Sequence, residues 1–451
     1  MSTLAEFFQK LKFLLLLAPL MLRSQTALTV EECLREAFKS NNLLRMADIN
    51  IQIAQEKAAQ SENQRMPSLN AKGAFLRFGK ISSFSIPMGP AGAMQEFKFG
   101  ALNRINGDIS MMMPLMTWGR INTQIKMANL NIEISRLDRR QRAIEVSDQV
   151  LRAAYSVLIS REVIAANKIQ CDRAHKNLES TEKRFSSGHA AKLEKLRAEV
   201  QATNAVTMLD DAVNSYEKST IWLAKVVGRE GEQLSIQGEL IFRSATVDID
   251  SLIDRALAQR LDLQILRLQQ ILLERQSEIT EKTLRPSLTG LASYSVQNGF
   301  SPLAPEEFVD NWNIGVQLSF PLFDGGITSH RVQETLHQIS SFQLQEREIK
   351  ETISVQIRQS ALSLQQAEQK YWLQQKNGDL AREALESAEQ QYAQGLISSL
   401  DLITAEQALA ESELMVLRAL YTHTIAKLDL CRAVGDYTLY DLIPTGVESS
   451  Y

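Results

Sequence analysis

Residues 185–199 read FSSGHAAKLEKLRAE, and residues 392–406 read YAQGLISSLDLITAE. Gly188 of the first stretch aligns with Gly395 of the second, 207 positions later (395 − 188). In both stretches the glycine interrupts a sequence that otherwise has the composition of a helix. Glycine adopts the positive φ that a turn between two helices often needs. Each stretch therefore predicts a turn between two helices, and the pair predicts an internal duplication.

Further matches extend this duplication over most of the chain. Residues 114–228 and 321–435 align without a gap at the same offset of 207. Upstream, residues 67–69 and 286–288 both read PSL, but here the offset is 219. The difference of 12 (219 − 207) falls between the paired prolines, where we expect a loop. Such repeats are typical of structural copies that stack or are related by pseudosymmetry.

Helix-breaking residues are scarce within the aligned stretches. Proline is absent from residues 115–285, and Gly188 is the only glycine in residues 120–227. Because proline and glycine break helices, their absence permits long ones. A helix over 119–184 would be roughly 100 Å long at about 1.5 Å per residue, which implies coiled-coil packing.

Heptad spacing supports that packing. Apolar residues recur every seven positions along the expected long helix, which is the pattern of a coiled-coil seam. The series is Val150, Val157, Ile164, Cys171, Leu178 and Phe185. The half-length helices expected over 29–63, 193–227, 249–283 and 400–434 can run end to end beside the long ones.

Between the paired prolines the hydrophobic period changes from that of a helix to two. Residues 312–320 alternate strictly between apolar and polar or glycine positions. Residues 105–113 also alternate, with Gly107 neutral in the apolar series and Met112 as the break. This alternation fits a strand that crosses an outer membrane, and it also fits an ordinary half-buried strand. Two hairpins give four strands, whereas a membrane barrel needs at least about eight. Either several chains share one barrel or the chain is not a membrane protein.

These patterns predict two structural repeats with flanking segments. The expected segments are a signal peptide (1–27), a first structural repeat (28–228) with a β-hairpin (68–113), a long helix (119–184) and a half helix (193–227), a linker (229–247), a second structural repeat (248–435) with a β-hairpin (287–320), a long helix (327–391) and a half helix (400–434), and a C-terminal tail (436–451).

The composition and the N-terminus narrow the location and the class of function. The net charge is −4 and no region is strongly basic, which argues against a nucleic-acid-binding protein. Lys10 and Lys12 precede an apolar run over 13–22 with the length of a signal-peptide core, although a buried N-terminal helix is an alternative. Cleavage near Ala27 would leave no apolar stretch of about 20 residues. We therefore expect the mature chain in the periplasm, the outer membrane or the exterior.

Sequence motifs for chemistry are missing. Cys33, Cys171 and Cys431 lie in helical patterns, so we expect small core residues rather than disulfides or a lipid-attachment site. The chain has no phosphate-binding glycine loop, no His-Glu-x-x-His, no Cys-x-x-Cys and no Gly-x-Ser-x-Gly. We therefore expect no enzyme activity, no cofactor and no metal site. Energy for any transport has to come from a partner.

The order of these features resembles the TolC-type outer-membrane efflux family. The stretches 185–199 and 392–406 look like the helical-hairpin tips of that family, and residues 321–326 (PLFDGG) are similar to its strand-to-helix junction. The resemblance covers essentially the whole mature chain. It implies a mainly α fold with a small β part: a long antiparallel α-helical coiled-coil barrel as a periplasmic tunnel, plus a transmembrane β-barrel shared between three chains.

The resemblance also implies location and partners. The chain would form a homotrimer in the cell outer membrane that extends into the periplasm, in contact with outer-membrane lipid. A periplasmic adaptor (membrane fusion) protein would dock on it, driven by an inner-membrane pump. The linker and the C-terminal tail would form an equatorial belt around the tunnel.

Residue roles near the tips follow from the same resemblance. The adaptor-contacting residues would be Ser186, Ser187, Gly188, His189, Gln394, Gly395 and Leu396, and the periplasmic entrance or gate would be formed by Glu194, Tyr392, Asp401 and Thr404. Tyr392 could hydrogen-bond Glu194. Ile397 stands where the family has an arginine, and Thr404 stands where it has a second acidic residue, so a salt-bridge lock is in doubt. Glu194 and Asp401 could instead be solvated acids at the start of a helix.

The leading functional hypothesis is a passive exit duct for small molecules or proteins in a tripartite efflux or type I secretion system. A non-conducting periplasmic coiled-coil scaffold is the first rival, and an enzyme is the second. A protein that only detergent extracts from the membrane, and that conducts in planar bilayers, would be a duct and not a scaffold.

Overall fold

The computed structural model describes residues 26–88, 92–300 and 304–437 of the 451-residue chain. Most of the expected signal peptide and nearly all of the expected C-terminal tail lie outside the described residues. The chain divides into two compact units. The helical unit comprises Met1–Ala47, Arg139–Leu261 and Ile349–Tyr451, and the sheet unit comprises Asp48–Asp138 and Asp262–Glu348.

The helices reproduce the duplication. They are α1 (Val30–Ser40), α2 (Asn42–Asn63), α3 (Arg120–Ser186), α4 (Lys192–Val227), α5 (Ile249–Gln259), α6 (Leu261–Lys282), α7 (Ile327–Ala393) and α8 (Ser399–Val434). The two long helices α3 and α7 have 67 residues each, and α4 and α8 have 36 each. We call α3 with α4 the first helical hairpin and α7 with α8 the second helical hairpin. Each of the helices in the described ranges is too short or too polar to cross a membrane.

Two of the expected half helices are interrupted, which corrects the sequence prediction. The helix expected over 29–63 breaks at Asn41, and the one expected over 249–283 breaks at Arg260. Both residues have extended backbone, with ψ of 125° and 129°. The Asn41 side chain donates to Val226 O at 3.3 Å, and Arg260 Nη1 donates to Ala433 O at 2.9 Å. Each break therefore lies where a side chain satisfies a carbonyl at the C-terminal end of a half helix.

The core of the helical unit is apolar and contains two thiols. Cys33 on α1 and Cys431 on α8 are fully buried in one cluster with residues such as Leu151 and Leu223. Cys171 is buried in a separate cluster between α3 and α4. All three cysteines are free, so their prediction as small core residues is confirmed.

A four-stranded antiparallel sheet dominates the sheet unit. Its strands are β2 (Ser68–Arg77), β5 (Asn103–Met116), β7 (Ser287–Gln297) and β8 (Val309–Ser319), in the order β2-β5-β7-β8. A two-stranded ladder of β3 (Ser82–Met88) and β4 (Ala93–Phe99) lies between β2 and β5 in sequence, and the sequence prediction missed it. In the helical unit, β1 (Thr26–Leu28) pairs in parallel with β6 (Leu234–Ile236) of the linker.

The register of the four-stranded sheet separates apolar from polar side chains. Because paired residues point to the same side, Leu69, Met111, Ala292 and Ile314 share one face with Trp312. That face further carries Phe75, Ile105, Ile109, Tyr294 and Val316. The opposite face carries Asn70, Lys72, Asp108, Ser110, Ser293, Ser295, Asn313 and Gln317. The exceptions are Ala74, Leu76, Met112, Pro114, Leu291 and Val309 on this polar face, and Arg77, Asn103 and Asp310 on the apolar face. The edge strands β2 and β8 each have a single partner among the strands described.

Candidate functional site at the hairpin tips

Both helical hairpins turn with the same backbone geometry. Gly188 and Gly395 have φ of 76° and 73°, the left-handed conformation that ends many helices. In the first tip, His189 N donates to Arg184 O at 2.7 Å, and in the second, Leu396 N donates to Gln391 O at 2.9 Å. These bonds satisfy carbonyls that the helix ends leave free. A Cβ added to either glycine would meet open space, so the glycines serve backbone conformation rather than close packing.

The predicted adaptor-contacting residues are all exposed in this chain. In the first tip the hydroxyls of Ser186 and Ser187 donate to Lys183 O at 2.8 and 3.0 Å, and His189 Nδ1 lies 3.1 Å from Ser187 Oγ. In the second tip Leu396 presents an exposed apolar side chain, with 69% of its surface accessible. The predicted adaptor-contacting side chains are thus polar in the first tip, whereas in the second they include the apolar Leu396.

The half helices begin differently after the two turns. At the start of α8, the Ser398 side chain accepts from Asp401 N, while Asp401 Oδ2 accepts from Ser398 N at 3.0 Å and Ser398 Oγ at 2.6 Å. This is a capping box. At the start of α4 the corresponding residue is Ala191, which has no side chain to cap the helix. The equivalent acid Glu194 therefore has no reciprocal partner at its own helix start.

The predicted gate residues have distinct environments. Hydrogen bonds from Ser398 lower the pKa of the exposed Asp401, so this carboxylate is ionised at the helix start. Thr404 is exposed and donates to Leu400 O at 2.8 Å within its own helix. Glu194 is partly buried, and its Oε2 has no hydrogen-bond partner among the residues that the structure describes.

Tyr392 contacts the other hairpin through an arginine. Arg184 Nη1, in the last turn of α3, donates a hydrogen bond to Tyr392 Oη near the end of α7. The guanidinium carbon lies 5.3 Å from the centroid of the tyrosine ring, within the range of a cation–π contact. The tyrosine ring packs beside the cluster that contains Leu385 and Leu402. The two tips are therefore joined within one chain.

This contact corrects one expectation and supplies a residue that sequence reasoning missed. Within one chain, Tyr392 pairs with Arg184 and not with Glu194. The arginine comes from the first hairpin, whereas the resemblance located it at the position of Ile397. Basic residues are common in the last turn of a helix, because they interact favourably with the helix dipole. Arg184 therefore gave no distinct signal in the sequence.

A second missed contact lies farther from the tips. Gln201 on α4 donates through Nε2 to Glu406 Oε2 on α8 at 3.3 Å, and both residues are buried. Glu406 aligns with Glu199 of the first copy, which is exposed. The sequence does not distinguish the two glutamates, because the partner of Glu406 is 205 residues away.

Comparison with known proteins identifies the family to which these tips belong. Residues 33–229 and 252–436 match the family model described as outer membrane efflux protein. The chain belongs to the outer membrane efflux protein family. The outer membrane protein TolC of Salmonella enteritidis is 21% identical over 438 residues, which cover 90% of this chain and 88% of that protein. The alkaline protease secretion protein AprF of Pseudomonas aeruginosa is 24% identical over 318 residues, 69% of this chain and 66% of that one.

Solved structures agree on the fold. The outer membrane channel CmeC of Campylobacter jejuni superposes with a TM-score of 0.73 at 16% identity, and the match covers 90% of this chain and 85% of that one. This outer membrane efflux protein is thus a TolC-like exit duct of the outer membrane, mainly α with a small β part. Its family is one of transport channels rather than enzymes. No finding favours the scaffold alternative.

Proposed function

We propose that three copies of this chain form one outer-membrane duct that conducts cargo and catalyses no reaction. The observation that carries the proposal is the four-stranded sheet, with its apolar face, its polar face and its two edge strands β2 and β8. Unpaired backbone groups at a sheet edge cost several kcal/mol each in lipid, so other strands have to close the sheet. Three copies supply three times four strands, with β8 of one copy beside β2 of the next. The apolar face then meets lipid and the polar face lines the lumen.

The helical hairpins would form the periplasmic part of this duct. Their tips expose both polar and apolar groups. We propose that Ser186, Ser187, Gly188, His189, Gln394, Gly395 and Leu396 contact a periplasmic adaptor there. The exposed Leu396 supports this role, because an apolar side chain of that exposure gains free energy when a partner covers it.

The entrance would be closed by contacts within each chain and by contacts between neighbouring chains. Arg184 and Tyr392 join the two hairpins of one chain. Glu194 Oε2, which lacks a partner among the described residues of a single chain, would find one on the neighbouring copy. Asp401 and Thr404 would line the entrance, where the ionised carboxylates of three copies favour cations.

Energy for export would come from an inner-membrane pump acting through the adaptor, since the chain has no nucleotide-binding motif. The cargo class would be small molecules or proteins. AprF is an alkaline protease secretion protein, which supports proteins as one of the two cargo classes.

Assembly and conductance test the proposal directly. The protein extracted from outer membranes in detergent is expected to have the mass of a trimer and to form conducting channels in planar bilayers. Carbonate washing is expected to leave it in the membrane. Release by carbonate as a non-conducting monomer would instead support the scaffold alternative.

Crosslinking tests the tips and the entrance. Photoreactive residues at His189 and Leu396 are expected to capture the adaptor, whereas the same residues at the exposed positions Thr207 and Glu411 are not. A cysteine pair introduced by Glu194→Cys and Tyr392→Cys tests the entrance, and the three native cysteines do not compete because they are buried. If no disulfide forms within or between chains, our placement of the entrance is wrong.

A further inference from the structure

A buried carboxyl group and a buried amide connect the two helical hairpins. Glu406 on α8 is 8% exposed and Gln201 on α4 is 7% exposed. Their hydrogen bond, from Gln201 Nε2 to Glu406 Oε2, measures 3.3 Å and is at the long end of the usual range. The pair belongs to the same helical unit as the tip residues. It is therefore one of several contacts between the two hairpins, together with the link of Arg184 to Tyr392 and the ion pair of Arg152 with Asp429.

The amide nitrogen of Gln201 is hydrogen-bonded, but among the described residues its carbonyl oxygen is not. Its Oε1 is buried and accepts no hydrogen bond from any residue in the described parts of the chain. An ionised carboxylate cannot supply the missing proton, because both of its oxygens only accept. A neutral carboxylic acid has one O–H that donates while the other oxygen accepts. A protonated Glu406 could thus satisfy Gln201 Oε1 and keep the bond that already exists.

From this complementarity we propose that Glu406 and Gln201 form a proton-binding site that clamps the first helical hairpin to the second. One proton from water binds Glu406, and the neutral carboxyl then makes two hydrogen bonds with the Gln201 amide. Loss of the proton returns the pair to a single long bond and leaves a charge among buried side chains. The clamped state is therefore favoured as pH falls.

The surroundings of Glu406 favour this proton. Burial raises the pKa of Glu406, and the nearby amides of Gln201 and of Asn177 on α3 offset only part of that effect. Glu389 on α7 raises the pKa further, and Arg173 on α3 lowers it with the weakest of these influences. Together α3, α4 and α7 thus present one acid, one base and two amides to the site. The proton is held at a higher pH than by an ordinary glutamate.

The clamp rests on the contacts within one chain, so it can exist whether or not the chain forms a duct. If separation of the two hairpins opens the entrance, proton binding at Glu406 favours the closed duct. The proton site and the clamp can be measured without any conductance. Their failure and that of the duct are therefore separate results.

Infrared difference spectra of the full-length protein test the proton site. Spectra are recorded between about pH 4 and about pH 8, which brackets the ordinary glutamate range. We expect a C=O stretching band of a buried carboxylic acid that titrates above the ordinary glutamate pKa. The band should be lost in Glu406→Gln and kept in Glu383→Gln, the matched control at an exposed glutamate of α7. A spectrum without the band, or a band that persists in Glu406→Gln, overturns the proton site.

Spin labels next to the pair test the clamp. Val200 and Gln407 are exposed neighbours of Gln201 and Glu406, so Val200→Cys and Gln407→Cys can carry the labels. We expect the distance between the labels to shorten or sharpen as pH falls through the titration of the band. Glu406→Gln should show the low-pH distance throughout, since two amides can also make two hydrogen bonds. Gln201→Leu should show no pH response.

Two results discriminate the alternatives. A label distance that ignores pH, while the band titrates normally, overturns the clamp and leaves an isolated buried acid. A label distance that follows the band in a protein that forms no conducting channel supports the clamp and contradicts the proposed duct.

Discussion

Arg184, in the last turn of α3, donates a hydrogen bond to the hydroxyl of Tyr392 near the end of α7, so the two helical hairpins are joined at their tips. The contact combines a charge-assisted hydrogen bond with a cation over the ring. Such bonds contribute about 1.5–3 kcal/mol each, and an exposed cation–π contact adds about 0.5–1 kcal/mol. The link is therefore strong enough to shift an equilibrium between joined and separated tips roughly tenfold or more.

Removing the tyrosine hydroxyl should open the entrance of the proposed duct. Tyr392→Phe keeps the ring and its packing near Leu402 but loses the hydrogen bond from Arg184. We expect a several-fold higher open-channel probability in planar bilayers and faster hydrogen exchange at the tips. Glu179→Gln is the matched control, since it breaks an exposed pair with Lys183 on the same helix, and it should behave as wild type. Equal open probabilities for Tyr392→Phe and wild type would contradict a gating role for the link.

Glycine substitutions should separate backbone strain from steric conflict. Gly188→Ala meets open space, so its cost is the positive φ alone, about 1–2 kcal/mol. At Gly228, which has φ of 82°, an added Cβ would clash with the side chain of Ser40. The Ser40 hydroxyl donates to Val227 O, and displacing it breaks the bond. Gly228→Ala should therefore reduce the unfolding temperature clearly more than Gly188→Ala; the reverse order would contradict this account.

Asn298 should be important for the pairing of the two structural repeats within the four-stranded sheet. It is 2% exposed, its Oδ1 accepts from Ile105 N at 2.7 Å, and its Nδ2 donates to Asn103 O at 2.9 Å. Asn298→Ala leaves both backbone groups of β5 without these partners, and we expect a loss of about 1–3 kcal/mol in unfolding free energy. Asn313→Ala removes only an exposed bond to Ser293 and serves as the control. A thermal or denaturant unfolding series in detergent measures both variants.

Buried His423 should make the helical unit acid-sensitive. Burial and the nearby Lys427 lower the pKa of His423 to about 4, and Glu368 opposes this only in part. Since an unfolded histidine has a pKa of about 6.5, the unfolded chain binds more protons between about pH 4 and about pH 6.5. The contribution of His423 to stability is thus fully present above that window and is lost as pH falls through it. The ring packs against Phe242 of the linker at a tilt of 36°, with centroids 4.6 Å apart, so the hydrogen-exchange protection of the linker reports the loss.

A histidine replacement completes this test. His423→Phe keeps an aromatic ring beside Phe242 and cannot be protonated. The protection factors of residues 239–247, corrected for the intrinsic pH dependence of amide exchange, should therefore lose their dependence on pH between about 4 and about 6.5. His337→Gln, at an exposed position of α7, is the control and should leave the dependence in place. An unchanged pH profile in His423→Phe would assign the acid sensitivity to another group.

The candidate site was predictable only in part. The tip glycines and the acids that follow them were visible, because a left-handed turn and a helix start have local sequence signals. The environment of those acids was not visible: Asp401 caps its helix through Ser398, whereas Glu194 faces an alanine at the same position. The partner of Tyr392 was also hidden, since Arg184 is 208 residues away and belongs to the other copy.

By itself the sequence determined the duplication, the long helices, the half-length helices that follow the two tips and the alternation of β5 and β8. These features depend on periodicity and on helix-breaking residues, which act over a few neighbouring positions. Tertiary structure alone decided the breaks at Asn41 and Arg260, the buried surroundings of Glu406 and the link between Arg184 and Tyr392. Each depends on a hydrogen bond or a desolvation between residues far apart in the chain, and such contacts leave no period in the sequence.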